Sequence, residues 1–368
     1  MINLYVGILL MFFLCLLEIL HIKFKEKQDV PWREIIFNLN SGHVILWFFR
    51  GLEVLCFDFV ARNFSIDLIS KLPVLVQWIF TFFAWDFCFY WMHRLHHKYK
   101  ILWAVHVVHH EGEHFNFSLG IRNSWYSSLT SFPFFAILAI IGVSTEQFFL
   151  IGAFHYFVQF YNHNSMIKNH GFLDRFIVSP AHHKLHHASN FEYRDKNCGG
   201  TLTIWDKLFG TFESEKEHVK MTLGVTSSNH SIDHPLVGNN FHLINYLFSK
   251  KSSNNSRKTP KSNQQNDFLV ALGGFLLFGL LIYYIYQEDK WSNYVLIQFG
   301  SMLVFATIAM YGLFENLIWG KLFWVLFSIS LLLFAFINQI SNPILLIFSI
   351  LFIIHSIAIF YATSTFKK

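Results

Sequence analysis

A chain of 368 residues with 54% hydrophobic, 19% aromatic and only 14% charged residues lies far from the composition of a soluble domain. A mean hydropathy of +0.39 and 45 phenylalanines point to a membrane protein, and the net charge of +5 sits in short loops between apolar runs, where it sets topology rather than marking a nucleic-acid partner. Four scattered cysteines, Cys15, Cys56, Cys88 and Cys198, form no CxxC pair, so neither a disulfide framework nor a thiolate metal site is indicated.

From the N-terminus, apolar runs of bilayer length are expected at about 3–21, 40–61, 73–92, 126–142 and 144–162, then at 268–286, 294–314, 321–340 and 343–362. The second run contains Arg50, Glu53 and Asp58. Such groups are costly at a bilayer centre, so this hairpin is expected to lie shallow or to pack them inward. The first run has no basic leader and no small-residue cleavage site, and reads as an uncleaved anchor. Lys23, Lys25, Lys27 and Arg33 follow it, Arg94, Lys98 and Lys100 follow the third run, and Lys250, Lys251, Arg257, Lys258 and Lys261 precede the sixth. The alternate loops carry few basic residues. On the positive-inside rule the N-terminus is then outside and the histidine-rich segments face the cytoplasm.

The stretch 249–267, "SKKSSNNSRKTPKSNQQND", reads as a flexible polar linker. It divides a histidine-rich catalytic domain, 1–248, from a C-terminal region, 268–368, whose one histidine is His355 and which contains no candidate ligand set. The fold class expected is all-α integral membrane: a multi-span helical bundle with a cytoplasmic histidine-box di-metal site, plus a C-terminal four-helix membrane module for anchoring or packing.

Between the third and fourth runs the sequence reads "HRLHHKYKILWAVHVVHH". His93 and His97 are four apart and share a helical face, while His106, His109 and His110 project to one side at i, i+3, i+4. The same spacing returns at His183, His186 and His187 in "SPAHHKLHHASN". Neutral imidazole is the commonest protein metal ligand, and eight of them exceed what one ion takes, so two metals close together are the simplest inference. A closed structural zinc site needs no second imidazole set. The soluble di-iron pattern needs paired Glu-x-x-His motifs, for which Glu111 with His114 is a single chance match. Histidine-rich coordination of two irons that activate dioxygen fits the boxes best. Asp86 lies near the end of an apolar run in a stripe with Tyr90, His93 and His97, and is expected to orient His93 directly or through Tyr90; the alternative is a shallow, solvated carboxylate.

The order "DFCFYWMHRLHH", "HVVHH", "HHKLHH" and "DKNCGGTLTIWDKLFGTFE" resembles the integral-membrane fatty acid hydroxylase and sterol desaturase superfamily across about residues 75–215. The C-terminal spans and "FVQFYNHNSMIKNHG" are most similar to its alkylglycerol monooxygenase branch. The resemblance implies metal ligands at His93, His97, His106, His109, His110, His183, His186 and His187, with His163 as a further one. Cys198 departs from the aromatic residue that members of the superfamily commonly have there, and His96 and His182 stand beside expected ligands and leave a one-residue ambiguity in each box. His114, His155 and His170 fit no box. "WDKLFGTFE" is expected to close the cytoplasmic face over the metals, or else to be a plain turn.

The resemblance further implies an O2-dependent non-haem di-iron monooxygenase acting on a bilayer lipid. For the branch, it implies cleavage of glyceryl ethers by hydroxylation next to the ether oxygen, with tetrahydrobiopterin as reductant. The chain has no dinucleotide, haem-attachment or iron-sulfur motif, so electrons are expected from a diffusible donor or a partner protein. Two other readings stay open: another lipid hydroxylase or desaturase of the superfamily, and, more distantly, a metal transporter.

Overall fold

A computed structural model describes residues 4–225, 235–248 and 264–365. Among them the chain forms fourteen α-helices and no strand, only a single bridge between Ile177 and Leu202. In chain order these are α1 (Leu4–Leu20), α2 (Trp32–Asn40), α3 (His43–Phe64), α4 (Val74–Lys98), α5 (Lys100–His110), α6 (Ser127–Ile141), α7 (Thr145–Tyr161), α8 (Pro180–His186), α9 (Ile204–Leu208), α10 (Pro235–Phe248), α11 (Gln264–Tyr286), α12 (Asn293–Phe314), α13 (Ile318–Ile337) and α14 (Pro343–Thr365).

Among the described residues six segments are long and apolar enough to cross a bilayer: Tyr5–Lys25, Val74–Lys98, Gln265–Tyr286, Asn293–Phe314, Ile318–Ile337 and Pro343–Ala362. This is an integral membrane protein. The other three expected runs are helical but fall short of that test. α6 has 15 residues and α7 has 17, and α3 carries four charges. Arg50 and Glu53 turn inward, as expected, whereas Asp58 is half-buried and Arg62 stays exposed. Glu53 pairs with Arg50 and accepts a hydrogen bond from Ser131 at 2.7 Å, and Asp58 pairs with Arg62 and accepts from Thr145 at 2.9 Å.

The chain resolves into two compact units. One comprises residues 1–44, 229–238 and 255–368, the other residues 45–228 and 239–254. The sequence-based division at 248 placed residues 1–44 with the histidine region, whereas they pack with the C-terminal helices. The reason is local. α2 buries Ile35, Ile36, Phe37 and Leu39, and Gly274 of α11 lets the two helices close up, since a Cβ there would lie 2.3 Å from Ile36 Cγ2. Asn40 donates to the Gly274 carbonyl at 3.2 Å, and Arg33 pairs with Glu315. Of the expected linker, 249–263 lies outside the described residues and 264–267 begins α11.

In the second unit α4 and α5 are separated only by Tyr99, whose extended backbone (φ −101°, ψ 125°) turns α5 back along α4. α6 and α7 pack against the same helix around Phe57, Trp85, Phe135 and Phe148, with the Phe57 and Phe148 rings stacked at 4.0 Å. All nine histidines expected as ligands lie in this unit.

Candidate metal centre

The fold brings these histidines into two groups, within each of which one ring nitrogen per residue lies within 4.8 Å of the others. The first holds His93, His97, His106, His110 and His186; the second holds His109, His163, His183 and His187. The grouping divides both HxxHH boxes. On a helix, residues four apart differ by about 40° around the axis, whereas i+3 and i+4 differ from each other by about 100°. His93 with His97, and His106 with His110, therefore face one centre, and His183 with His187 the other. His109 and His186 are each turned across to the opposite group. The groups adjoin, with the rings of His110 and His187 stacked at 4.4 Å.

Backbone carbonyls fix the rings. His109 Nδ1 donates to the Arg122 carbonyl at 2.9 Å and His163 Nδ1 to that of Gln159 at 2.7 Å. With both Nδ1 atoms protonated, each Nε2 carries a lone pair, yet these two Nε2 atoms face each other at 3.1 Å. Two lone pairs have no attraction for one another, so the arrangement is complementary to a cation between them. The remaining close Nε2 pairs, from His93–His106 to His183–His187, lie at 3.0–3.2 Å. Two donors about 2.1 Å from one ion are about 3.0 Å apart at a right angle and about 3.4 Å apart in a tetrahedron. The observed spacing is nearer the former. Nε2 of His97 and of His186 are buried without a hydrogen-bond partner, which is what a metal-binding nitrogen requires.

Burial and the neighbouring imidazoles push His106, His110, His183, His186 and His187 well below the ordinary imidazole value; for His163 the neighbour is His109. Burial brings His109 down to about 4. All seven are then neutral at pH 7 and able to ligate.

The ambiguity within the boxes is resolved by what else the neighbours bind. His96 donates from Nδ1 to the Met92 carbonyl at 2.7 Å and meets Thr130 Oγ1 through Nε2 at 2.9 Å. His182 folds back on Ser179 at the start of α8, where Pro180 occupies the first turn. Neither ring belongs to either group. Outside the boxes, His155 bonds to Thr201 Oγ1 and stacks on Trp85 at 4.6 Å, and His170 bonds to Tyr161 Oη at 3.0 Å.

Asp86 does not touch His93. Its carboxylate accepts the backbone N–H of Thr201 (3.0 Å) and Leu202 (3.1 Å) and the Trp205 indole N–H (2.9 Å), and Tyr90 Oη pairs instead with Thr211 Oγ1 and Arg94. Neither expected route, direct or through Tyr90, joins Asp86 to His93; its contacts run to the loop that carries the Cys198 carbonyl. His93 Nδ1 donates to the Cys198 carbonyl at 2.8 Å and His186 Nδ1 to that of Lys196 at 2.7 Å, so one loop, 195–206, orients two rings of the first group. Asp195 and Asn197 adopt φ of 59° and 52° on either side of Lys196, a left-handed backbone that Asp and Asn tolerate. Asp206 clasps the loop from beyond, accepting the N–H of Cys198 and Gly199 at 2.8 Å each. A Cβ on Gly199 would come within 2.7 Å of Asp206, and one on Gly200 within 2.7 Å of Phe89. The segment "WDKLFGTFE" is thus a strap on the acceptor loop, more than a plain turn.

Sequence reasoning missed these carbonyls, because a backbone acceptor has no residue type. It also missed Gly120, where a Cβ would lie 2.9 Å from His163 Nδ1. The paired glycines at 199–200 and the unassigned Asp206 were the available signals.

Helices and histidine groups together define a membrane protein in which nine imidazoles gather in two adjoining groups that could each hold a metal ion. Residues 78–211, the segment that builds the centre, match the family model described as fatty acid hydroxylase. The chain is 36% identical over 181 residues to alkylglycerol monooxygenase of Homo sapiens, covering 49% of this chain and 39% of that protein. It is 37% identical over 172 residues to the Xenopus tropicalis alkylglycerol monooxygenase, covering 46% and 38%. Ornithine lipid hydroxylase OlsE of Rhizobium tropici is 29% identical over 159 residues, covering 42% and 47%. The matched stretch thus spans less than half the length of these curated relatives. No solved structure gives a significant match.

Proposed function

We propose that this chain is an O2-dependent membrane monooxygenase that holds two iron ions on its histidine groups and hydroxylates a bilayer lipid. The observation that carries the reading is the pair of Nε2 lone pairs of His109 and His163 facing each other at 3.1 Å while both Nδ1–H groups are donated to carbonyls. Imidazole donors suit zinc, copper, iron and nickel alike; iron is favoured by the likeness of the boxes to di-iron hydroxylases. Bound iron would supply the activation of dioxygen for insertion of one oxygen atom into a C–H bond. The chain's own residues do the rest. The nine imidazoles bind as neutral donors, the carbonyls of Arg122, Gln159, Lys196 and Cys198 retain the Nδ1 protons and set ring direction, and burial of the second group excludes water from it.

The substrate we favour is a glyceryl ether lipid, hydroxylated at the carbon next to the ether oxygen so that the hemiacetal falls apart to an aldehyde and a glycerol product. The support is the identity to alkylglycerol monooxygenases over the segment that builds the centre. A tetrahydrobiopterin or another diffusible reductant, or an electron-donor protein, would supply electrons. The Lys and Arg bias of the loops supports a cytoplasmic site, and the C-terminal helices are proposed as an anchoring and packing module. The likeness to an ornithine lipid hydroxylase supports a second reading, hydroxylation of an acyl chain.

The test is anaerobic purification in detergent, metal analysis, then oxygen uptake with an alkylglycerol and a tetrahydropterin. Iron near two per chain and uptake that needs both additions is the expected result. Iron without uptake defeats the substrate assignment, and a protein that binds no iron defeats the whole reading.

A further inference from the structure

Five large apolar side chains stand in the open on two short elements beside the metal site. Phe172, Leu173 and Phe176 belong to a 3-10 turn at Gly171–Arg175 and the residue after it, and Ile204 and Leu208 to α9; each is more than half exposed. The elements form one body. Thr203 N–H donates to the Phe176 carbonyl at 3.0 Å, Val178 N–H to that of Thr201 at 2.8 Å, and Thr203 Oγ1 to that of Arg175 at 2.9 Å. Contiguous exposed apolar surface of this kind marks an interaction site.

Its depth identifies the partner. Trp205 and Phe209 pack on α4 against Phe87 and Trp91, each pair with ring centroids 5.0 Å apart, and Asp86 accepts from the Trp205 indole at 2.9 Å. Phe87 lies about three turns, or about 16 Å, before the end of α4 at Lys98. Counted from Val74, about 20 residues of hydrocarbon crossing end near His93, just before the first basic residue, Arg94. α9 therefore runs alongside the portion of α4 that is still within the apolar layer, and there its outward-facing Ile204 and Leu208 meet acyl chains rather than water. The charges agree. Arg175 lies over the Phe172 ring at 5.3 Å, Lys207 donates to the Arg175 carbonyl, and both side chains are exposed, the placement in which long cationic side chains reach from an apolar surface to phosphates.

We infer that the face formed by Phe172, Leu173, Phe176, Ile204 and Leu208 is embedded in the phospholipid leaflet next to the histidine site, with Arg175 and Lys207 at the level of the lipid phosphates. The strap that orients the metal-site rings is thus itself immersed in lipid. This placement depends on α4 crossing the bilayer and not on the identity of the metal or the substrate.

Spin labels test it in the full chain reconstituted into phospholipid vesicles. In a background with Cys56 and Cys88 replaced by Ala, labels go on Phe176→Cys and Leu208→Cys. Ile79→Cys on the exposed side of α4 is the lipid control and Glu217→Cys in an exposed loop the aqueous control. The expected result is an oxygen-to-nickel-chelate accessibility ratio at 176 and 208 that matches position 79 and exceeds position 217 several-fold. A ratio equal to that at 217 overturns the inference, and so does occlusion from both reagents, which would mean that protein covers the face. A second measurement needs no variant. Unmodified protein is photolabelled with a phospholipid carrying a diazirine in its acyl chain, and adducts are expected within 172–176 and 204–208 as well as on α4; adducts confined to α4 overturn the inference.

Discussion

His355 in the C-terminal helices and His109 beside the metal site are both buried rings, and each has a nitrogen bonded to a backbone carbonyl. His355 donates from Nε2 to the Leu269 carbonyl at 2.8 Å and accepts the Trp324 indole N–H on Nδ1 at 2.9 Å, so both of its nitrogens are satisfied. His109 also spends Nδ1 on a carbonyl, but its Nε2 points at another Nε2. Burial does not separate a core histidine from a ligand. The occupation of the second nitrogen does. The same contrast extends over the two units: Ser328 and Ser356 close a hydrogen bond to each other at 2.9 Å, whereas the buried rings of the other unit converge on two points that no protein donor fills.

The largest effect expected from this contrast is on substitution of one ring from each group. His186→Ala and His163→Ala should each lower bound iron by about one per chain and reduce turnover by more than about 100-fold, beyond the usual cost of losing an outer partner. Metal analysis and turnover read both. Either variant with near wild-type iron and activity would remove that ring from its group.

Asp86→Asn probes the link from Asp86 to the ring-orienting loop, where the sequence alone predicts a link to His93, direct or through Tyr90. Asp86 accepts three N–H groups from the loop that orients His93 and His186. An amide offers one acceptor oxygen and turns an NH2 toward those donors, leaving part of the set unsatisfied. A loss of metal affinity of about 10–100-fold is expected, read as faster iron release to a chelator. Wild-type release would mean that the loop holds without its clasp.

Much of this architecture was legible in the residues. The long apolar runs became α1, α4 and α11–α14, and the i, i+4 spacing of His93 with His97 did place both rings on one side. Spacing did not reveal that His109 and His110 serve different groups, because that depends on where α8 and the end of α7 bring His187 and His163. It did not reveal that residues 1–44 pack with the C-terminal helices either, since the complementarity of Ile36 and Gly274 is a matter of shape rather than pattern.

Acid should loosen the two units unequally. In the metal-free protein burial holds His109 at about 4, below its ordinary value of 6.5, so the unfolded chain binds the extra proton first. Stability from this group is fully present above about 6.5 and is lost as pH falls toward about 4. His110, depressed by burial and by His187, and His187, depressed by burial and by His109, act in the same direction. Hydrogen exchange followed from pH 7 to 5 should show opening in α5 and α8 before any in α11–α14, which hold one buried histidine, His355, against the cluster of the other unit. Simultaneous opening of both sets of helices would mean that the histidine cluster is not the acid-sensitive element.

The smallest effect on the metal should come from His355→Ala, and that is what makes it informative. The ring fits because Gly273 has no side chain, where a Cβ would lie 2.5 Å from His355 Cε1, and removing it leaves a cavity together with a buried Trp324 indole that has lost its acceptor. An unsatisfied buried donor costs about 1–3 kcal/mol, so thermal unfolding of the C-terminal helices should begin at a lower temperature. Nothing in the contact set of His355 reaches the histidine groups, because both nitrogens are used within its own unit. Iron content and turnover at 25 °C should therefore equal those of the unaltered protein. A variant that folds, inserts and loses iron would show that the C-terminal unit helps to hold the metal site, and the division of labour between satisfied and converging imidazoles would have to be given up.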